Sequence, residues 1–373
     1  MSPPAAPAAP DDPLEQWRAA GLYDPHDPGA PGRLALLRWI SGHGVTIPQM
    51  QQACADGQLN ALVGDLSLRP GPRRSPRDVA RMVDMDLALV HDVRQAAGLP
   101  PVADDDAELT DDDVQMLRLF HEADGFFSRD ELLRLATVMG ASLRRVADAA
   151  GEMFLRDVEA PLKANGPTFD LEMAQLNLAG IQLARAATGV FAPMFLAHLE
   201  FSTYRTRRAR RDSEDYETVP LAVGFVDLSG FTERSSGLAP AALRDLIVQF
   251  EDRAHRVVHQ HDGRVVKLIG DEVMFSAVDA SAVCAIALAL TAAAPEGTSA
   301  RGGLAYGPVI ASGGDLYGPV VNLASRIADI AIPGEVLVND AIAQSVPARV
   351  FEPAGRRRLK GFSEPVRLWT LTG

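Results

Sequence analysis

Two aspartates stand at the ends of strand-like segments in the second half of the chain. Asp227 closes the apolar run LAVGFVD (221–227), and Asp271 lies between the runs RVVKLI and EVMFSA. Carboxylate oxygens at neighbouring strand ends suit hard divalent cations, and Mg²⁺ also keeps substrate phosphates among its ligands. The pattern therefore indicates a metal and phosphate site. Gly-Asp is also a favourable hairpin dipeptide, so a purely structural role for Asp271 stays open at this point.

The loop LSGFT (228–232), which follows Asp227 directly, has the character of a phosphate-binding segment. A short Gly-containing loop that leads towards a helix exposes backbone N–H groups, and phosphate oxygens accept hydrogen bonds from such groups. We therefore predict that Gly230, Phe231 and Thr232 contact the substrate.

The elements that must position these residues follow a known order. Strand-like runs occupy 221–227, 264–269, 272–277, 302–307 and 335–339, with helical patterns at roughly 239–261, 279–293 and 319–331. The order strand, helix, strand, strand, helix, strand is that of the split βαβ, ferredoxin-like unit. In this unit the first strand lies beside the hairpin, so both aspartates can converge at one edge. The predicted fold class is α+β: a ferredoxin-like βαββαβ domain preceded by an all-α domain.

Helical periodicity dominates the first half of the chain. Thr110 and Ser128 are predicted N-caps of helices at 110–123 and 128–140, and Gly140 is a predicted stop. Further helices are expected at 33–44, 141–163, 169–188 and 191–211. We predict four segments: a disordered tail (1–13), a helical domain (14–211), a linker (212–219) and the α+β domain (220–373).

Three separated motifs carry a family resemblance. FVDLSGFT, KLIGDEVMF and GDLYGPVVNLASR occur in this order, and together they resemble the class III nucleotidyl cyclase catalytic domain over about residues 219–373. The resemblance implies that Asp227, Leu228 and Asp271 form the metal site, which holds two Mg²⁺ or Mn²⁺ ions. It also implies that Lys267 donates to adenine N1 and that Asp315 accepts from the exocyclic amine. Guanine would need the opposite polarity, so ATP is the expected substrate.

The same resemblance assigns roles to three more residues. Asn322 would orient the ribose, and Arg326 would offset the charge that develops on the α-phosphate and the leaving group. The two residues are four apart and share one face of a helix, and their apolar neighbours predict that this helix is largely buried. LKGFSEPV (359–366) resembles the family's terminal hairpin, from which Lys360 could reach the β- and γ-phosphates. The implied reaction converts ATP to 3′,5′-cyclic AMP and pyrophosphate.

The family also implies an assembly. Its metal aspartates come from one subunit, and its base-recognising and transition-state residues come from the other. A chain that carries both sets once is therefore expected to form a head-to-tail homodimer with two equivalent sites.

The helical half resembles the regulatory domain of some soluble bacterial class III adenylyl cyclases of the pH-responsive type. Its last predicted helix, 191–211, would be the lever that acts on the catalytic domain. Five histidines lie in this acidic half: His26, His43, His91, His121 and His198. Histidine titrates near neutral pH, so pH-linked regulation is one hypothesis, and surface titration without consequence is the other.

Composition narrows the partners and the compartment. The net charge of −13 argues against general nucleic-acid binding, because phosphates would be repelled. Residues 75–100 have a helix–turn–helix pattern but carry little positive charge, so the pattern favours a helical bundle over a DNA-binding motif. Three features predict a cytoplasmic protein. The two cysteines are far apart in the sequence, no signal-peptide pattern is present, and the most apolar run (281–295) is too short to span a membrane.

Two other functions remain open. IGDEVMF is similar to the GGDEF hairpin of diguanylate cyclases, although it lacks the doubled glycine. A catalytically silent signalling or transcription module that binds a nucleotide without turnover is the third interpretation. The products formed from ATP and GTP would distinguish the three.

Overall fold

The computed structural model describes residues 13–164, 170–211, 215–230, 237–292, 294 and 298–372. The chain divides into two compact units, Met1–Phe195 and Leu196–Gly373. The first unit is helical, and the second contains the sheet.

The helical unit contains nine helices and the first part of a tenth in its described residues. They are α1 (Pro13–Ala19), α2 (Ala30–Gly42), α3 (Ile47–Ala55), α4 (Leu62–Leu68), α5 (Pro76–Val83), α6 (Leu87–Ala96), α7 (Asp111–Ala123), α8 (Arg129–Phe154), α9 (Ala160–Ala164) and α10 (Asp170–Ala209). A π-helical turn, Leu155–Glu159, joins α8 to α9. One core cluster unites α1–α4 with Ala174 of α10, and a second unites α5–α7.

Local chemistry confirms the predicted helix starts. Thr110 forms a capping box with Asp113 at the start of α7, and the Ser128 hydroxyl accepts a hydrogen bond from the Glu131 N–H at the start of α8. The segment 75–100 does form a helix–turn–helix, with Asp84 in the left-handed conformation between α5 and α6.

The predicted helix stop at Gly140 is wrong. Helix α8 runs through this residue to Phe154, because Gly140 serves a close approach and does not end the helix. A Cβ at Gly140 would lie 2.2 Å from the carbonyl oxygen of Ala97, so only glycine lets the end of α6 approach α8 this closely.

The predicted break between 188 and 191 is also wrong. Helix α10 is continuous from Asp170 to Ala209 and contains Pro193 in its interior. It is the one helix in the described residues that is long and apolar enough, by length and composition, to cross a membrane. Within the second unit, Arg205 near its end donates to the carbonyl of Ser276 at 3.3 Å, and Arg208 pairs with Asp262 at 3.1 Å.

The second unit is built on one mixed sheet. Its strands are β1 (Val219–Ser229), β2 (Arg264–Ile269), β3 (Glu272–Ala277), β4 (Ser299–Ser312), β5 (Asp315–Tyr317), β6 (Val336–Asn339), β7 (Val350–Arg357) and β8 (Val366–Thr372). The order is β2-β3-β1-β4-β6-β8-β7, and β5 pairs with β4. The first four strands have the order of a ferredoxin-like βαββαβ unit, with β1 beside the β2–β3 hairpin as predicted.

Helices cover both faces of this sheet. They are α11 (Pro240–Gln260), α12 (Ala280–Ala292), α13 (Pro319–Ile330) and α14 (Asp340–Ser345). One core contains residues of α11, α12 and α14, and the opposite core contains residues of α13. A Cβ at Gly303 of β4 would lie 2.1 Å from the Ala328 backbone nitrogen, so this glycine lets α13 lie directly on the strand.

Candidate active site

The two aspartates lie at the same edge of the sheet. Asp227 is near the end of β1, directly opposite Glu272 on β3 and Arg301 on β4. Asp271 occupies the turn between β2 and β3. The N–H of Leu228 donates to the carbonyl of Asp271 at 3.1 Å, so the backbone ties the two acidic segments together.

Acidic side chains crowd this edge of the sheet. Burial raises the pKa of Asp271, and the negative charge of Asp227 raises it further. Burial also raises the pKa of the adjacent Glu272 to about 7, with contributions from Asp227, Asp329 and Asp271. Clustered carboxylates disfavour one another's ionised forms, and a divalent cation would relieve that repulsion.

The two aspartates would suit a metal ion that takes its other ligands from a substrate. In the described residues, no group of three or more His, Cys, Asp and Glu side chains is arranged to hold a metal ion. Asp227 and Asp271 alone are too few for a closed cage, but Mg²⁺-like cations commonly use one or two carboxylates together with substrate phosphates. The side chain of Leu228 is buried and apolar, so this residue could contribute only its carbonyl oxygen.

Arg301 is a part of this edge that sequence reasoning missed. Its Nε and Nη2 donate to one carboxylate oxygen of Asp227, at 3.1 and 2.9 Å, and its Nη1 donates to the carbonyl of Asp329 at 3.0 Å. The guanidinium therefore fixes the orientation of the Asp227 carboxylate and offsets part of its charge. The only signal in the sequence was an arginine within the otherwise small and apolar run SARGGLA.

Lys267 and Asp315 form a second, separate feature. The Lys267 ammonium contacts an Asp315 carboxylate oxygen at 2.5 Å, although the two residues are 48 positions apart. The other carboxylate oxygen of Asp315 accepts from the N–H of Leu316 at 2.7 Å. Both side chains remain partly exposed, so a polar ligand can reach the donor and the acceptor.

The hairpin that carries Asp315 is held by another cation. Arg264 of β2 donates to the carbonyl of Gly314, in the turn between β4 and β5. Burial lowers the pKa of Arg264, and the charge of Asp315 opposes that effect. Arg264 therefore connects the strand that carries Lys267 to the turn that carries Asp315.

Lys267 faces the same side of the sheet as the acidic residues Asp227 and Glu272. Lys267 stands opposite Met274, which stands opposite Phe225, and Asp227 and Glu272 occupy the next row of the same face. This is the face on which α13 packs.

Asn322 and Arg326 lie on α13, but the prediction of a largely buried helix is wrong. Only one face is buried, through Val321, Ala324, Ile327 and Ala328. Asn322 is exposed, and half-buried Arg326 pairs with Asp329 of the same helix at 2.7 Å. Among the described residues, no hydrogen bond or ion pair joins Asn322 or Arg326 to Asp227 or Asp271.

The remaining predicted ligands have mixed outcomes. Gly230 is an exposed turn residue at the end of β1, whereas Phe231 and Thr232 lie outside the described residues. Lys360 is exposed in the connection between β7 and β8, next to the buried Leu359.

Each half of the chain matches the model of a known protein family. Residues 18–194 match the family model described as "Adenylate cyclase regulatory domain", and residues 212–373 match "Adenylate and Guanylate cyclase catalytic domain". The chain is 31% identical to an uncharacterized protein of Mycobacterium tuberculosis strain H37Rv, over 96% of this chain and 94% of that protein.

Two named relatives agree with these matches. An adenylate cyclase of Streptomyces coelicolor is 30% identical over 74% of this chain and 72% of its own length. A pH-sensitive adenylate cyclase of Mycobacterium tuberculosis is 27% identical over 90% and 87% of the two chains. The chain belongs to the adenylate cyclase family, with a regulatory domain followed by a class III catalytic domain.

Proposed function

We propose that this protein converts ATP to 3′,5′-cyclic AMP and pyrophosphate at a site that two copies of the chain share. The observation that carries the choice of substrate is the pairing of Lys267 with Asp315. A donor and an acceptor side by side match N1 and the amine of adenine, whereas guanine presents a donor at N1 and an acceptor at O6.

The chain's own residues would divide the work of the reaction. Lys267 and Asp315 bind and orient the base. Asn322 places the ribose so that its 3′-oxygen lies in line with the α-phosphorus, and Arg326 offsets the charge that builds on the departing pyrophosphate. The 3′-oxygen forms a bond to the α-phosphorus while the bond to the pyrophosphate oxygen breaks, and the hydroxyl proton leaves to solvent.

The acidic edge would hold the cations. Two divalent ions, Mg²⁺ or Mn²⁺, bound by Asp227, Asp271 and the carbonyl of Leu228 would supply Lewis acidity to the 3′-hydroxyl and the triphosphate. Gly230 and its neighbours Phe231 and Thr232 would bind phosphate oxygens from the adjoining loop, and Lys360 would reach the β- and γ-phosphates.

A shared site explains why one chain keeps its functional residues apart. Arg326 pairs with its own Asp329 and not with Asp227 or Asp271, so a second copy would supply the transition-state pair. The regulatory domain would act through α10, whose end is tied to β3 by Arg205. Protonation of its histidines remains a hypothesis for the signal.

The test is product analysis with the full chain. ATP and Mn²⁺ should give cyclic AMP, and GTP should give little cyclic GMP. A cyclic dinucleotide would indicate a diguanylate cyclase, and binding without product would indicate a silent module.

Mixing inactive variants tests the shared site. Asp227→Ala and Asn322→Ala proteins should each be inactive alone and should recover partial activity when mixed, because a mixed dimer contains one intact site. If mixed dimers form and no activity returns, the shared site is wrong while cyclic AMP production by the wild type stands.

A further inference from the structure

Two arginines of the second unit are anchored at neighbouring points of the sheet. Arg205, near the end of α10, donates to the carbonyl of Ser276 at 3.3 Å, and Ser276 stands directly opposite Arg264 in the β2–β3 pair. Opposed residues of an antiparallel pair have Cα atoms about 5 Å apart. Val223 continues the same row on β1 and shares a core with Ala209 of α10, so Arg264 and the end of α10 lie on one face of the sheet.

One nitrogen of the Arg205 guanidinium lacks an acceptor. Its Nη2 reaches the carbonyl of Ser276, but its Nη1 is buried and has no hydrogen-bond partner in the part of the chain that the structure describes. Burial lowers the pKa of Arg205, and the charge of Arg264 lowers it further, whereas Asp262 opposes the shift. A buried charged donor without an acceptor is costly, so this place calls for an additional negatively charged group.

The nearby acids are already paired with other cations. Asp262, whose charge acts on Arg205, forms an ion pair with Arg208 at 3.1 Å. Asp315, whose charge acts on the second arginine, contacts Lys267 at 2.5 Å. Neither acid forms an ion pair with the two arginines, and no other described carboxylate does so. Four cationic side chains therefore stand near two acidic ones, in a chain whose net charge is −13.

The missing acceptor has the chemistry of a small oxyanion. A guanidinium presents its N–H donors in one plane, and the oxygens of a phosphate or a carboxylate accept two of them at a time. Arg264 uses its Nη2 for the carbonyl of Gly314, which leaves its other donors for a ligand. Part of its side chain is in solvent on β2, the edge strand of the sheet, so an anion can approach from that side.

We propose that a small oxyanion, of the phosphate or carboxylate class, binds between Arg205 and Arg264 and supplies the acceptor that Nη1 of Arg205 lacks. The anion would join the end of α10 to β2 and, through Arg264, to the turn that carries Asp315. It would thereby link the helix that leaves the regulatory domain to the base-recognising pair. This consequence rests on the proposed function, whereas the binding of the anion does not.

Calorimetric titration of the full-length protein with inorganic phosphate tests the site. EDTA is present, and sodium chloride keeps the ionic strength constant. The wild type should bind phosphate, and Arg205→Gln or Arg264→Gln should weaken the binding by roughly tenfold, because each removes a charged donor. Arg208→Gln makes the same change of charge one helical turn away, but its partner is Asp262, so the affinity should change by less than about threefold.

Two further variants and a second readout separate this site from the active site and from a structural role. Lys360→Gln should leave phosphate binding in place, because that lysine belongs to the proposed triphosphate site. At about ten times its Kd, phosphate should raise the melting temperature of the wild type by about 2–4 °C and leave that of Arg205→Gln unchanged. If Arg205→Gln does not fold, as circular dichroism would show, Arg264→Gln takes its place in this comparison.

Sodium acetate distinguishes the two sources of the oxyanion. Displacement of phosphate by acetate at similar concentration would indicate a carboxylate ligand, and failure of acetate to compete would indicate a phosphate ligand; both outcomes support the site. Absence of phosphate binding to the wild type would overturn the proposal. Binding that Lys360→Gln removes and that both arginine substitutions leave intact would overturn it too. No readout uses cyclase activity, so failure here is distinct from failure of the proposed reaction.

Discussion

Replacing Asp315 with alanine is expected to damage adenine recognition more than folding. The substitution removes the acceptor proposed for the adenine amine and leaves the Lys267 ammonium without its partner at 2.5 Å. A hydrogen bond to a charged group contributes about 1.5–3 kcal/mol. The side chains of Asp315 and Lys267 are 24% and 40% exposed, so water compensates for part of the loss and the lower end applies. A loss of about 1.5 kcal/mol corresponds to roughly a tenfold lower kcat/KM for ATP.

The assay compares kcat/KM for ATP and for GTP with Mn²⁺ in wild type and Asp315→Ala. We expect the value for ATP to fall about tenfold, whereas the value for GTP should stay within about threefold because guanine does not use this acceptor. The control is Asp105→Ala, which removes an exposed aspartate from a pair with Arg77 in the helical unit. Equal losses for ATP and GTP, with an unchanged melting temperature, would refute adenine recognition by Asp315.

Three further predictions concern stability and the acidic edge. Gly140→Ala should lower the free energy of unfolding by about 2 kcal/mol or more, because the added Cβ would meet the backbone at the end of α6. Gly151→Ala in the same helix has open space around the added Cβ and should raise the free energy of unfolding by about 0.5–1 kcal/mol. Urea denaturation measures both changes. Burial raises the pKa of Glu272 from 4.5 to about 7, so its contribution to stability is complete below pH 4.5 and is lost as the pH rises to 7. In EDTA, the free energy of unfolding should fall between pH 5 and 8 by about 1–2 kcal/mol less in Glu272→Gln than in the wild type, a modest figure because the side chain is partly exposed to water. Parallel pH profiles of the two proteins would contradict this. Arg301→Lys cannot reproduce the two hydrogen bonds to Asp227, so it should lower cyclase activity about tenfold at an unchanged melting temperature, and full activity would show that the contact does not orient the carboxylate.

The sequence predicted the sheet better than the long helices. The bounds of β2 and β3 match the predicted runs, because two apolar runs separated by a short turn can be placed as strands in few other ways. Gly140 was misjudged because a glycine after a helical pattern usually ends the helix. Gly140 is instead required by the close approach of α6, a long-range contact that no local pattern contains. Pro193 is tolerated inside α10, although its ring nitrogen cannot donate a hydrogen bond.

In the candidate site, too, contacts between residues far apart in the sequence were not predicted. Lys267 and Asp315 were assigned through a family resemblance, and the structure places them in contact. Arg301 escaped notice because its role depends on β4 lying beside β1, a pairing of residues 74 positions apart. Arg264 escaped for a similar reason, since its partner is a backbone carbonyl in a distant turn. Side chains that act by supporting another residue become visible only when the strands are in place.

The pairing of charges within one chain bears on how activity could be controlled. Lys267 is held by Asp315, Arg326 by Asp329 and Arg301 by Asp227, so three cations of the catalytic domain each have an acidic partner before any nucleotide binds. A bound triphosphate with its cations would compete for these partners, and in the proposed shared site it would do so where the two halves face each other. A regulatory domain that alters how these halves meet could therefore change the rate of the reaction while leaving every side chain of the site in its place.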